Sequence, residues 1–123
     1  MYGWLLDTLH KEYELVRLLK ESPRGSVSQI RHRATGRRFV LRQFTGNAEV
    51  YQKLLRCSCR HLPAVFEVAS CGEKHLVLEE FIEGDTLGFL LQDALFTEEE
   101  TRDIAIQICK ALWILHSMAA VHR

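Results

Sequence analysis

The feature that most constrains this chain is a change in hydrophobic period near residue 47. Before it, three short runs of strand-forming residues are separated by glycine-containing turns, and after it residues 47–56 repeat their apolar positions as a helix does. The three runs are residues 13–19, 27–32 and 37–44. Because such short turns join antiparallel neighbours, the pattern predicts an antiparallel meander followed by a helix.

The flanking segments add helices and two strands. Residues 1–12 predict a short amphipathic helix with Trp4, Leu5 and Leu9 on one side. Downstream of the meander the sequence predicts strands over 62–69 and 75–81, a short helix over 86–96 and a long helix over 98–118. Thr97 and Glu100 form a capping-box pattern at the start of the long helix.

The long predicted helix carries apolar side chains on several sides, which is typical of a helix buried in a larger body. The sequence ends five residues after it. We therefore expect the chain to be a fragment of a larger domain.

Composition is that of a soluble globular domain, with 123 residues of which 47% are hydrophobic and 26% charged. No stretch approaches the roughly 20 apolar residues of a membrane span, and the N-terminus lacks the pattern of a secretory signal. Four cysteines without a signal predict reduced thiols and a cytoplasmic location. They are Cys57, Cys59, Cys71 and Cys109.

Charge is distributed unevenly, because residues 1–60 hold 12 Lys/Arg and 5 Asp/Glu while residues 61–123 hold 4 and 11. The basic half could meet phosphate groups or serve as a solvated sheet face. A nucleic-acid surface is disfavoured, because the basic residues lack interleaved aromatics and a helix-turn-helix pattern. Cys57, Cys59 and His61 lack a second ligand cluster, so no metal site is expected.

The order of elements and several motifs together resemble the first half of a protein kinase. The matching segments are Val27 with ATGRRFVLRQF (34–44), AEVYQKLL (48–55), LVLEEFIEGDTL (76–87) and QICKALWILHSMAAVHR (107–123). Each motif alone is weak evidence for a family, but the occurrence of all of them in the kinase order and spacing is specific. The segment EEFIEGDTL (79–87) is similar to the corresponding segment of bacterial members of the eukaryotic-like Ser/Thr kinases.

The resemblance implies an α+β fold, with a five-stranded antiparallel sheet and helix C forming a kinase-like small lobe. A short helix and a long helix from the start of the large lobe would follow. The implied divisions are an N-terminal helical extension (1–12), the small lobe and hinge (13–83) and a truncated start of the large lobe (84–123).

The resemblance also implies residues for nucleotide phosphates. Arg42 stands at the position of the strand lysine that grips the α- and β-phosphates, and Glu49 at that of the helix-C glutamate, so we expect these two side chains to pair. Gly25 matches the third glycine of the glycine-rich loop. Lys20 and Ser22 replace the other two glycines, and Pro23 removes an amide donor.

For the adenine ring, the resemblance implies apolar walls from Val27, Val40 and Ile82, with backbone groups of Glu80 and Ile82 as hydrogen-bonding partners. Val40 stands where the family has a smaller alanine, which narrows the slot. Glu79 falls at the gatekeeper position and would need a partner for its partly buried carboxylate. All of these residues would also suit the core of a lobe that binds no nucleotide.

His122 and Arg123 match the start of the His-Arg-Asp motif of the catalytic loop, and the rest of that loop and the Asp-Phe-Gly motif are not in this sequence. ATP and magnesium are the cofactors of the family, and we expect their binding here to be weak or absent. The expected function is a catalytically incomplete part of a Ser/Thr protein-kinase-like protein. The alternative is a pseudokinase-type scaffold or interaction module.

The long helix also predicts self-association. Its apolar residues are too numerous to remain in water on a monomer, so we expect a homodimer or higher oligomer through helix 98–118. The residues expected along one side of it are Ile104, Ile108, Leu112 and Leu115.

Overall fold

The computed structural model describes residues 2–118, and His122 and Arg123 lie outside them. The described elements follow the predicted order of strands and helices. They are α1 (Tyr2–Glu12), β1 (Tyr13–Ser22), β2 (Gly25–His32), β3 (Arg38–Thr45), α2 (Glu49–Leu55), β4 (Val65–Cys71), β5 (Lys74–Glu80), α3 (Leu87–Asp93) and α4 (Glu98–Ser117). The α+β prediction is confirmed, with boundaries shifted by a few residues.

The five strands form one antiparallel sheet in the order β1-β2-β3-β5-β4. The register places Val27 opposite Arg42, Arg42 opposite Val77 and Val40 opposite Glu79. Because successive side chains alternate between the two faces of a sheet, these residues share one face. That face is called the polar face below.

The opposite face of the sheet is apolar and carries the core of the first part of the chain. Its buried residues are Ile30, Phe39, Leu41, Leu76 and Leu78. Leu9 of α1 is buried in the same cluster, and Leu6 and Tyr13 pack against it. The predicted N-terminal helix therefore covers the apolar face of the sheet.

The prediction that Trp4 and Leu9 lie on one side of α1 is wrong, because Trp4 is 68% exposed while Leu9 is buried. Residues five positions apart on a helix point about 140° apart, so Trp4 and Leu9 cannot both face the sheet. Leu6 and Leu9, which are three positions apart, provide the packing side instead.

Helix α2 lies on the polar face of the sheet. Its Tyr51 ring contacts the Phe44 ring at a centroid distance of 5.5 Å. Phe44 also contacts His75, whose Nε2 lies 2.6 Å from the Gly46 carbonyl oxygen and whose Nδ1 lies 2.7 Å from the Ser70 hydroxyl. These contacts connect β3, β4 and β5 to the segment that leads into α2.

The described residues divide into two compact units, one of residues 2–58 and 63–81 and the other of residues 59–62 and 82–118. The second unit contains α3 and α4. Thr86 caps α3 by accepting a hydrogen bond from the Phe89 amide, and Thr97 and Glu100 form a reciprocal capping box on α4. Within residues 2–118, none of the helices has the length and apolar character needed to cross a membrane.

Candidate functional site

The polar face is organised around an ion pair between Arg42 of β3 and Glu79 of β5. Arg42 Nη2 donates to Glu79 Oε1 at 2.9 Å, and Arg42 Nε donates to Glu79 Oε2 at 3.4 Å. Arg42 is opposite Val77 in the register, so it reaches Glu79 diagonally across two residues of the neighbouring strand. The buried Glu79 carboxylate thus has the partner that its burial requires.

The surroundings of Arg42 stabilise its charged form. The hydrogen bond to Glu79 raises the pKa of Arg42, and this outweighs the lowering effect of burial. The guanidinium carbon lies 5.9 Å from the centroid of the Tyr51 ring, within the range of a cation–π contact. Burial raises the pKa of Tyr51, so its hydroxyl stays neutral beside the pair.

The expected ion pair between Arg42 and Glu49 is wrong. Glu49 instead pairs with Lys53 one turn along α2, at 3.3 Å, and its side chain is 67% exposed. Among the ion pairs of residues 2–118, that of Arg42 is with Glu79 and none joins it to Glu49. Arg42 pairs with Glu79 because the β3–β5 register brings the two side chains within reach of each other, while Glu49 on the short helix α2 is exposed to water.

The turn between β1 and β2 is fastened to the end of β3. The Arg24 carbonyl oxygen accepts hydrogen bonds from the Thr45 amide at 3.1 Å and from the Thr45 hydroxyl at 3.5 Å. Gly25 lies against β3 so closely that an added Cβ would stand 1.9 Å from the Gln43 carbonyl oxygen. Gly25 is therefore required by the packing of two strands, whether or not a phosphate approaches it.

A cavity of about 210 Å³ lies between this turn and the polar face. Its basic lining residues are Lys20, Arg24 and Arg42, and no acidic residue lines it. Val27 and Tyr51 provide apolar surface, and Ser22 and Ser26 provide hydroxyl groups. The cavity has the charge expected of a site for phosphate, although Arg42 within it is already paired.

The residues expected around adenine are distributed over both units. In the first unit Val40 is buried and Val27 half-buried, both on the polar face. The Glu80 amide donates to the Ala64 carbonyl oxygen at 2.8 Å, and the Glu80 carboxylate accepts from the Ala64 amide at 3.0 Å. Ile82 belongs to the second unit and is 61% exposed.

Sequence reasoning missed two polar contributors to this face. Tyr51 lies beside the ion pair, and Gln29, which is 3% exposed, accepts a hydrogen bond from Arg17 Nε at 3.2 Å. The alternation of β2 places Gln29 on the same face as Val27, which was the available signal. Within residues 2–118, no group of three or more His, Cys, Asp or Glu is arranged to hold a metal ion.

Comparison with known proteins tests the kinase resemblance. No protein-family model matches the chain. The chain is 24% identical to "Serine/threonine-protein kinase TIO" of Arabidopsis thaliana, covering 92% of this chain and 9% of that protein. It is 26% identical to "Serine/threonine-protein kinase 1" of Heliothis zea nuclear polyhedrosis virus, covering 80% of this chain and 39% of that protein.

Among solved structures, that of Rad53 1-466 in complex with AMP-PNP superimposes with a TM-score of 0.75. The superposition covers 94% of this chain and 33% of Rad53 1-466, at 20% sequence identity. The chain is protein-kinase-like. Its sheet and helices have the fold of a kinase small lobe, as the sequence predicts.

The kinase-like chain spans well under half the length of each of these proteins. The two curated relatives come from a plant and a virus, so the bacterial assignment stays a prediction without support from them. The division of the sequence at residues 12/13 and 83/84 likewise stays a prediction.

Proposed function

We propose that this chain provides the small lobe of a Ser/Thr protein-kinase-like protein that has a pseudokinase-type site, with weak nucleotide binding and a scaffolding role. The observation that carries the proposal is the two-point contact between Arg42 and Glu79. In protein kinases the residue at the Arg42 position grips the phosphates and pairs with helix C. Here its donors are directed to a carboxylate at the gatekeeper position.

Diverting Arg42 to a phosphate would carry a free-energy cost. The Glu79 side chain is only 10% exposed, so removing its partner would leave a buried carboxylate without compensation. A nucleotide must therefore offset this loss before Arg42 contributes to its affinity. An arginine also lacks the compact ammonium of lysine, which approaches phosphate as a point charge.

The β1–β2 turn supports the same proposal. Backbone amides that cradle phosphate require glycines, whereas this turn carries Lys20, Ser22 and Pro23 at and around the matching positions. Its remaining glycine, Gly25, packs against β3, and Thr45 holds the Arg24 carbonyl. A turn fastened in this way is poorly suited to folding over a triphosphate.

Titration calorimetry of the 123-residue chain with Mg-ATP tests the proposal. We expect a dissociation constant of about 1 mM or weaker. Replacing Glu79 by leucine should free Arg42 and tighten binding by about tenfold, because the competing carboxylate is gone. The matched control is Glu67→Leu, which removes an exposed carboxylate from the same unit and should leave the affinity unchanged.

Two results would contradict the proposal: low-micromolar affinity of the unmodified chain, and equal affinities of the unmodified chain and Glu79→Leu. Circular dichroism of each variant establishes that the sheet is intact. With folding verified, an unchanged affinity would mean that the ion pair does not control the site.

A second candidate is a nucleotide-binding small lobe, favoured by the basic cavity beneath the turn. Lys20 and Arg24 would then supply the charge that Arg42 does not. The structural neighbour was crystallised with AMP-PNP, which supports the family's nucleotide binding by analogy. A double variant, Lys20→Gln with Arg24→Gln, would abolish ATP binding in this case and change little in the first.

A further inference from the structure

Helix α4 presents a stripe of exposed side chains that its own unit leaves uncovered. The stripe, called the Ile106 face, consists of Arg102, Ala105, Ile106, Cys109, Lys110 and Trp113. Ile106 is 44% exposed and Trp113 is 71% exposed, and no residue of α4 is buried. The spacing of three and four residues places all six on one side of the helix.

We propose that the Ile106 face is the contact surface of a homodimer in which two α4 helices pack antiparallel. The axis of twofold symmetry passes between Gln107 and Ile108 in this arrangement. Ile106 then meets Cys109 of the partner subunit, and Arg102 meets Trp113 of the partner subunit. Both contacts occur twice, as an isologous interface requires.

Charge and shape favour this occupant and this direction. The same axis places Glu99 opposite His116 of the partner subunit, so the acidic first turn meets the basic last turn. The Arg102 guanidinium pairs with Glu98 of its own helix at 3.5 Å, and its flat side can lie over the indole of the partner's Trp113, the aromatic ring that cations prefer. A parallel pair would instead set Arg102 beside the partner's Arg102 and Lys110 beside the partner's Lys110.

The middle of the Ile106 face is suited to close helix contact. Ala105 and Cys109 are small, so the two helix backbones can approach while Ile106 and Trp113 provide the apolar area. A single helix pair makes a small interface, and we therefore expect a reversible dimer of micromolar rather than nanomolar affinity.

The Ile106 face lies on a different side of α4 from the one that the sequence suggested. Ile104, Leu112 and Leu115 are already half-buried. Ile108 is 47% exposed but lies two positions from Ile106, which places it about 160° away around the helix. Ile106 and Ile108 therefore form a matched pair, equal in chemistry and similar in exposure.

Sedimentation equilibrium of the chain and of two variants tests the surface. We expect Ile106→Glu to weaken dimerisation by about tenfold, because it replaces the central apolar contact by a carboxylate that Arg102 and Lys110, four residues away on the same side, compensate only in part. Ile108→Glu should change the dimer dissociation constant by less than about threefold. Helical circular dichroism of both variants distinguishes loss of contact from loss of folding.

Cross-linking tests the direction and the register. One chain retains a single cysteine at position 109, and a second, tagged chain carries a single cysteine through Ile106→Cys; serine replaces every other cysteine. Mixed and oxidised, the two should form a disulfide-linked heterodimer in preference to either homodimer. A second tagged chain with its single cysteine at position 107 is the control and should cross-link weakly.

Three outcomes would overturn the proposal. The first is a monomer at about 100 µM of the unmodified chain, which includes the case that another segment of the same chain covers the face. The second is a dimer that Ile106→Glu leaves intact. The third is preferential linkage of equal positions, which would indicate a parallel pair. Each is independent of nucleotide binding, so failure here leaves the proposed function standing.

Discussion

Arg42 and Glu79 are unequal members of their ion pair. The Arg42 side chain is 32% exposed, so it can turn towards water when its partner is lost, whereas the Glu79 side chain is 10% exposed and cannot. The energetic cost of breaking the pair should therefore depend on which residue is removed. This asymmetry can be measured without any nucleotide.

We expect Arg42→Met to lower the free energy of unfolding by about 3 kcal/mol, since it leaves a carboxylate buried and unpaired. Glu79→Gln should cost about 1 kcal/mol, because the amide can still accept from Arg42. The double variant Arg42→Met with Glu79→Leu should lie within about 1 kcal/mol of the unmodified chain, since no charge remains buried. Urea unfolding measures all three, and equal losses for the two single variants would refute the asymmetry.

Gly25 provides a second test at this scale, because its role here is packing between strands. Gly25→Ala should destabilise the sheet by about 3 kcal/mol or more, since the new Cβ would overlap the Gln43 carbonyl oxygen. Gly3→Ala is the control, because a Cβ on Gly3 in α1 meets nothing within 4 Å. Thermal unfolding without ATP reports the difference. A Gly25→Ala chain as stable as the control would show that β2 and β3 can separate locally.

At the scale of elements, α4 begins at a reciprocal cap. The Glu100 amide donates to the Thr97 hydroxyl at 3.1 Å, and the Glu100 carboxylate accepts from the Thr97 amide at 3.0 Å. The hydrogen bond from the Thr97 backbone lowers the pKa of Glu100 below its ordinary value of 4.5. The carboxylate form is thus the one that the folded helix favours.

This linkage predicts a pH dependence for α4. Because the pKa of Glu100 is lower in the folded state, its stabilisation is fully present above pH 4.5 and is lost as pH falls through the folded-state pKa. Helical circular dichroism of the unmodified chain should therefore fall more below pH 4.5 than that of Glu100→Gln, whose amide accepts the same hydrogen bond at every pH. Superimposable pH curves for the two proteins would exclude the linkage.

At the scale of the whole molecule, α1 belongs with the sheet. Leu9 is 6% exposed within the apolar cluster of Ile30, Phe39 and Leu76. The first unit therefore depends on a helix that lies before β1 in the sequence. The apolar face of the sheet needs α1 as a cover, because a large apolar surface exposed to water is unfavourable.

We expect Leu9→Ala to lower the free energy of unfolding of the first unit by about 3 kcal/mol, the cost of a cavity in a packed core. Trp4→Ala, on the same helix, should change it by less than about 0.5 kcal/mol, because that side chain is 68% exposed. Urea unfolding monitored by the sheet signal checks both. Similar losses for the two variants would show that α1 contributes only its own helical stability.

Local sequence determined the order and type of the elements. Turn residues and two-residue alternation specified the meander, and apolar spacing with the Thr97 cap specified α4, because both depend on neighbours a few residues away. These signals also placed Arg42 on a strand and Glu49 on a helix in the order of a kinase. The resemblance to a protein kinase, rather than these local signals, implied that Glu79 is a partly buried carboxylate in need of a partner.

Only the tertiary structure decided which partner each of these residues took. Arg42 and Glu79 are 37 positions apart, and their contact exists because β5 inserts beside β3 in one particular register. The burial of Leu9 rather than Trp4 and the contact of Gly25 with Gln43 are decided in the same way. Such choices depend on the relative positions of distant elements, since electrostatic and packing energies change over a few ångströms while sequence spacing is unaffected.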